Sequence, residues 1–346
     1  MTTASFKDAG TRKKILAIVL AGGDGARLRP LTATQAKPAL PFGGSFRVVD
    51  FVLSNLVNSG IDSICLLAQY KPESLIEHVG SKWNLAECGH ERFVRVVLPQ
   101  REFGGLFRGT ADAVYQNLAL IEHYAPDLVA VFAADQIYRM DVSQMVRYHS
   151  KCDADVTIAT AQVPIELASS FDIVEAGYQG EILDFQERPD IPVAIPFNPS
   201  RACASMGNYL FNAGVLVEEL ERAARFGETD FGSHLLPRLI HHYQVHAYDY
   251  SGNVVPGVLP HEEPAYWRDI GTLEDYVNAH RDILGSAPLF NLQNPRWPIQ
   301  PAAKAQQQAF GDRRRLQQAR EVCSSLAQVV GNVFPPQWDV MQTGHA

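Results

Sequence analysis

Short unbroken apolar runs alternate along this chain with stretches in which apolar residues recur every three or four positions. The first run, residues 15–20 (ILAIVL), has the unbroken β-branched character of a strand buried on both faces. Residues 46–60 follow helical spacing, with Gly60 as the stop. Strand runs at 61–68 and 93–98 flank a short helix at 72–79. Gly109 to Ala113 opens a helix that runs to about 123, with Thr110 as the expected N-cap. Residues 128–134 and 154–161 read as strands, and 171–174 with 180–185 as a hairpin around Gly177 to Gly180. A strand at 206–211, helices at 215–226 and from 231, and a strand at 245–250 follow. Thr272 caps a last helix over 273–284, ended by Gly285. Strands alternating with helices predict an α/β fold, a mostly parallel sheet with helices on both faces.

In such sheets ligands sit beyond the carboxyl ends of the strands. The first strand ends in Leu20-Ala21-Gly22-Gly23-Asp24-Gly25-Ala26-Arg27, with Lys37 ten residues later. Glycines after a strand let backbone approach a phosphate or a base edge, and two nearby cations suit a triphosphate. The loop is not a dinucleotide fingerprint, lacking the third glycine, nor a Walker A loop, lacking Gly-Lys-Ser/Thr. Gln69 and Gln100 also fall at strand ends. Asp135 stands at the exit of the 128–134 strand, a good position for a Mg²⁺ ligand, and Asp269 is a second carboxylate far along the chain. Alone, an aspartate at the position of Asp135 is more commonly a turn or helix-cap residue, and a lone glycine-rich turn favours an ordinary strand–helix connection.

Composition narrows the field. The chain has 346 residues, 46% hydrophobic and 20% charged, enough for one large core or two modest ones. A net charge of −8 argues against wholesale nucleic-acid binding. Five scattered cysteines without metal spacing fit reduced thiols and a cytoplasmic location. No signal-peptide pattern and no membrane-length apolar run occurs, so neither secretion nor a membrane partner is expected. His241-His242 with His246 nearby reads as a surface helix end rather than a metal site.

The string LAGGDGARL followed by Lys37-Pro38-Ala39 resembles the signature of sugar-nucleotide pyrophosphorylases. Further strings, FGGSFRVVDFVLSN, FRGTADAVYQN, ADQIY, ASMGNYLF and YWRDIGTLEDY, make residues 14–299 similar to the ADP-glucose pyrophosphorylase (glucose-1-phosphate adenylyltransferase) family. The resemblance implies a Rossmann-like nucleotidyltransferase fold that joins ATP to glucose 1-phosphate with release of pyrophosphate, for glycogen or a related glucan. It implies Asp135 and Asp269 as Mg²⁺ ligands, and Arg27 and Lys37 at the triphosphate. Leu20, Ala21, Gly22, Gly23, Gln69, Gln100, Gly109 and Thr110 would bind the nucleotide, and Phe107, Asp172, Glu187, Arg188 and Ser205 the sugar phosphate. A homo-oligomer, dimer or tetramer, is implied as well.

Several positions depart from the family pattern. Arg188 stands for a lysine, Gln136 for a histidine, Phe107 for a tyrosine, Asp172 for a glycine and Asp24 for a frequent arginine. Enterobacterial effector positions are altered at Thr34, Pro41 and His123. A different nucleotide and sugar pair, or a non-catalytic regulatory relative, therefore stand as alternatives. The family's C-terminal β-helix has no counterpart in hexapeptide repeats here. Instead Leu316, Ala319, Val322, Leu326 and Val329 predict one amphipathic helix. The expected division is 1–13 as an N-terminal extension, 14–285 as the catalytic domain and 286–346 as linker and helical tail.

Overall fold

The computed structural model describes residues 13–83 and 92–299. From the N-terminus come β1 (Ile15–Ala21), β2 (Pro41–Phe42), β3 (Phe46–Arg47), α1 (Val49–Asn58), β4 (Ser63–Ala68), α2 (Glu73–Lys82) and β5 (Phe93–Val97). Next are α3 (Thr110–Tyr115), α4 (Leu118–Tyr124), β6 (Leu128–Ala133), β7 (Gln136–Tyr138), α5 (Val142–Lys151) and β8 (Val156–Pro164). The chain continues through β9 (Ile173–Ala176), β10 (Ile182–Gln186), β11 (Arg201–Asn212), α6 (Ala213–Phe226) and α7 (Leu236–Leu239). It ends in β12 (Val245–Asp249), β13 (Trp267–Asp269) and α8 (Leu273–Asp282).

Nine strands form one sheet, in the order β10-β9-β11-β6-β1-β4-β5, with β8 beside β11 and β12 beside β8. β6, β1, β4 and β5 are parallel, whereas β11 runs antiparallel to β6, β8 and β9. The sheet is therefore mixed, parallel around β1 and largely antiparallel beyond β6.

Successive side chains of a strand point to opposite faces. Ala17, Val19 and Ala21 of β1 pack with Val52 and Leu56 of α1, Leu75 of α2 and Met145 of α5. Leu16 and Ile18 pack with Val114 of α3, Ile121 of α4 and Leu216 and Leu220 of α6. Covering both faces is why the strand reads as a continuous apolar run. A third cluster joins Leu28, Leu40, Phe42 and Phe51 to Tyr276 and Ala279 of α8. It fastens the segment after the glycine loop to the C-terminal part of the chain.

Four local features differ from the sequence expectations. The helix expected over 109–123 is two helices, broken where Gln116 turns its amide to Leu106 O (2.9 Å) and Asn117 donates back to Ala113 O (2.8 Å). Thr110 is not the cap of α3. Gly109 holds that position, and Thr110 Oγ1 donates instead to Asp230 Oδ2 at 2.8 Å. Phe46 and Arg47 form β3 against β2 rather than a first helical turn, because Asp50 Oδ2 accepts from Arg47 N just ahead of α1 (2.8 Å). β11 starts at Arg201, earlier than expected, since its first half pairs with β8. Thr272 does cap α8, in a reciprocal box with Asp275.

Residues 286–299, placed with the linker from sequence, contribute Phe290, Trp297 and Ile299 to the buried interior. The helix expected around 316–329 and the N-terminal extension over 1–12 lie outside the described residues. Among the described residues no helix is long and apolar enough to cross a membrane.

Candidate active site

β1 and β6 lie side by side, with Leu20 opposite Ala133. Their carboxyl ends therefore deliver the glycine loop and Asp135 to the same place. After Asp135 the chain enters β7, which pairs antiparallel with β13 and sets Gln136 opposite Asp269. Ile270 N also donates to Asp135 O at 3.0 Å. Two aspartates 134 positions apart in the chain are thus fixed as neighbours by backbone hydrogen bonds.

Lys37 Nζ donates to Asp135 Oδ2 at 2.7 Å. The lysine is buried, 9% exposed. Burial works against its charge, but Asp135 and then Asp269 outweigh that and raise its pKa. Asp269 is shifted up in turn, by burial first and then by the like charge of Asp135, with Lys37 and Arg27 opposing. Arg27 is exposed in the short 3-10 turn Ala26–Leu28, and its Nη1 lies 3.9 Å from where a Cβ on Gly271 would stand, beside Asp269. Gly25 (φ +64) initiates that turn, Ala26 N donates to Asp24 Oδ1 (3.0 Å), and Thr32 Oγ1 donates to Gly25 O (2.8 Å). Asp24 thus shapes the loop.

This donor set fits a divalent cation. Two hard carboxylate oxygens, one shifted toward its neutral form by burial and then by the other's charge, are relieved by a cation placed between them. Among the described residues there is no group of three or more metal-ligating side chains, so the remaining ligands would come from substrate and water, the usual Mg²⁺–nucleotide arrangement.

The other candidate residues distribute unevenly. A Cβ on Gly23 would meet nothing within 4 Å, and one on Gly22 only ordinary contacts beginning at 3.8 Å, so protein packing does not require either glycine. Their open side is free for a ligand. Gly109 differs: a Cβ there would stand 2.3 Å from Thr229 O. That carbonyl accepts from Ala111 N and Asp112 N at the start of α3 (2.9 and 3.0 Å), which accounts for the glycine by packing. Gln69 is a brace, donating to Gly22 O (3.2 Å) and accepting from Phe107 N (2.8 Å). Leu20 O accepts from Ala134 N at 3.2 Å, and Ala21 is buried. Gln100 is exposed and donates to Gln116 O at 3.3 Å. The Phe107 ring is buried in the core, so that residue meets the site through its backbone.

At the positions expected to hold the sugar phosphate, Ser205 N donates to Asp172 O at 2.8 Å, and Ser205 Oγ accepts from Gly207 N at 3.2 Å. Burial pushes the Asp172 carboxyl up to about 6, opposed by Arg188 and reinforced by Glu187 and Asp230. Glu187 and Arg188 are exposed, with Arg188 in the left-handed region at φ +39. Asp172 Oδ1 is buried and has no hydrogen-bond partner.

Sequence reasoning missed Asp230. Its carboxylate accepts from Thr110 Oγ1, from Gly232 N (2.9 Å) and from Ser233 N (3.4 Å), tying α3 to the wall of this region. The string Glu-Thr-Asp-Phe-Gly before an apolar segment carried an N-cap signal, but nothing local pointed to Thr110.

A family model described as nucleotidyl transferase matches residues 16–286. The chain is 50% identical over 291 residues to the glucose-1-phosphate adenylyltransferase of Thermodesulfovibrio yellowstonii, covering 84% of this chain and 71% of that protein. It is 46% identical over 299 residues to the enzyme of that name from Thermus thermophilus, with coverages of 84% and 71%. The Mycobacterium marinum relative, of the same name, is 46% identical over 287 residues, with coverages of 82% and 71%.

Proposed function

Since this chain belongs to the nucleotidyl transferase family, and within it to the glucose-1-phosphate adenylyltransferases, we propose that it transfers the adenylyl group of ATP to glucose 1-phosphate. The products are ADP-glucose and pyrophosphate, and the ADP-glucose feeds glycogen or a related glucan. The observation that carries this reading is the convergence of Arg27, Lys37, Asp135 and Asp269 beside an open glycine loop at the ends of β1 and β6.

The reaction needs the sugar phosphate oxygen in line with the α-phosphate and countercharge for the leaving pyrophosphate. The glycine loop accepts the nucleotide against bare backbone. Arg27 faces solvent on the same side and neutralises the β- and γ-phosphates as they depart. Lys37, pinned by Asp135, holds its charge at the triphosphate. Asp135 and Asp269 would hold Mg²⁺, which supplies charge neutralisation of the phosphates. Ser205 and the exposed Glu187 and Arg188 bind the sugar phosphate. Cytoplasmic location and a homo-oligomeric state accompany the reading on family resemblance.

A second reading keeps the chemistry and changes the sugar. It is favoured by the unpartnered Asp172 Oδ1, an acceptor beside the sugar subsite. Pyrophosphate release measured across ATP, UTP, dTTP and GTP with a panel of sugar 1-phosphates separates the two. Preference for ATP with glucose 1-phosphate supports the first, and preference for another sugar with ATP supports the second.

A further inference from the structure

Two depressions flank α4 at the end of the sheet away from the candidate active site. Lys14 stands just before β1, and Ala213 follows Asn212, which pairs with Leu128 at the start of β6. The first depression, about 420 Å³, lies between α4 and α6. Ile121, Ala213 and Val217 give it an apolar floor, and Glu122, Glu218 and Glu221 stand around it. The second, about 200 Å³, lies between α4 and the strands β1, β4 and β5. Leu16, Phe93 and Leu120 line it, together with Lys14, Arg95 and His123. None of the three glutamates, and none of Lys14, Arg95 and His123, forms an ion pair among the described residues. The two cations are nevertheless held in place. Lys14 Nζ sits 4.1 Å from the centre of the Tyr124 ring, and the Arg95 guanidinium 4.0 Å from that of Phe93. A charge held in place without a counterion is preorganised for a partner. Gly214, in the first turn of α6, has open space where a Cβ would stand, although alanine favours helix more. Bare backbone there admits close approach from outside.

We propose that a second copy of this chain docks on this face through a two-fold axis running along α4. The acidic and basic flanks lie on opposite sides of that axis, so the rotation lays the acidic flank of each copy on the basic flank of the other. An axis across α4 would instead set acid on acid and base on base, so the charges select one operator. Glu122 and His123 are adjacent and exposed on α4, and near the axis Glu122 of one copy faces His123 of the other. Farther out, Glu218 and Glu221 face Lys14 and Arg95. Ala119, exposed one turn earlier on α4, is small enough to let the two helices approach. This inference rests on the homo-oligomeric state proposed above and gives it an interface, at the end of the sheet that leaves the nucleotide loop uncovered.

The test is sedimentation velocity of the full chain over a dilution series. E122K/E218K/E221K and K14E/R95E/H123E should each associate at least tenfold more weakly than the parent. An equimolar mixture of the two variants should recover the parent's association to within about threefold, since every reversed flank then meets its complement. A parent that is monomeric at every concentration would overturn both the oligomer and this interface. A parent that oligomerises while both variants associate as strongly would overturn the interface alone. So would a mixture of folded variants that associates no better than either one. Carbodiimide coupling of the parent gives a readout free of any folding question. Parent mixed from isotopically light and heavy copies should yield links from Lys14 to Glu218 or Glu221 between a light and a heavy chain, and their absence would overturn the proposal.

Discussion

Lys37 Nζ and Asp135 Oδ2 stand 2.7 Å apart at the carboxyl end of β6, and the lysine of this pair is almost wholly buried. A buried cation held against a carboxylate beside a second carboxylate is the geometry on which the proposed phosphate and metal roles rest.

Asp135→Asn and Asp269→Asn should each lower kcat by about 10²–10³ or more, the scale on which a single countercharge contributes to a transition state. Far-UV circular dichroism should be unchanged, since the backbone bonds that place both residues do not involve the carboxylates. Chelation of divalent ions should abolish the parent activity, and Mg²⁺ should restore it. Near-parental turnover in either variant would remove that residue from the site.

Gly23 and Gly109 separate packing from ligand approach. Gly109→Ala forces a Cβ against Thr229 O and should destabilise the fold by about 1–3 kcal/mol, the range for overpacking a tight site. Gly23→Ala meets no protein atom and should leave Tm unchanged while raising the ATP KM. Thermal melts and steady-state kinetics on the two variants check both halves.

How much of this was legible in the sequence depended on chain separation. β1 showed itself because a strand covered on both faces must be apolar throughout. The placement of Asp135, and of the loop carrying Arg27, was legible because both follow strand ends. Thr110 did not, since its hydroxyl answers to Asp230, 120 positions away. For Gly109 the packing constraint comes from Thr229, equally distant in the chain and so invisible to local spacing. The break between α3 and α4 was hidden because the apolar spacing runs through it, and the side-chain bonds of Gln116 and Asn117 that interrupt the helix have no signature in hydrophobic periodicity.

Asp172 makes stability depend on pH. Its carboxyl is pushed up to about 6 in the native state, mainly by burial, whereas the unfolded group titrates near 4. The native state thus retains a proton that the unfolded chain has lost, and this group's contribution to stability falls as pH rises through about 4 to 6. Asp172→Asn removes that penalty. The variant should match the parent Tm near pH 4 and exceed it, on the order of 2 °C, at pH 8. An equal difference at both pH values would contradict the assignment.

Arg139 and Glu262 form a buried ion pair at 3.0 Å just after β7, and Glu262 also accepts from Leu259 N and Asn291 N. Glu262→Ala leaves the guanidinium buried and unpaired and should cost about 3–5 kcal/mol in urea unfolding. Replacing both residues by apolar ones should recover much of the loss.

Whether the chain is an adenylyltransferase is decided by pyrophosphate release from the purified full chain with ATP, glucose 1-phosphate and Mg²⁺. Release should require both substrates and the metal, with ADP-glucose formed in equal amount. A folded protein that releases no pyrophosphate with this pair, under conditions where a relative such as the Thermus thermophilus enzyme does, would contradict it.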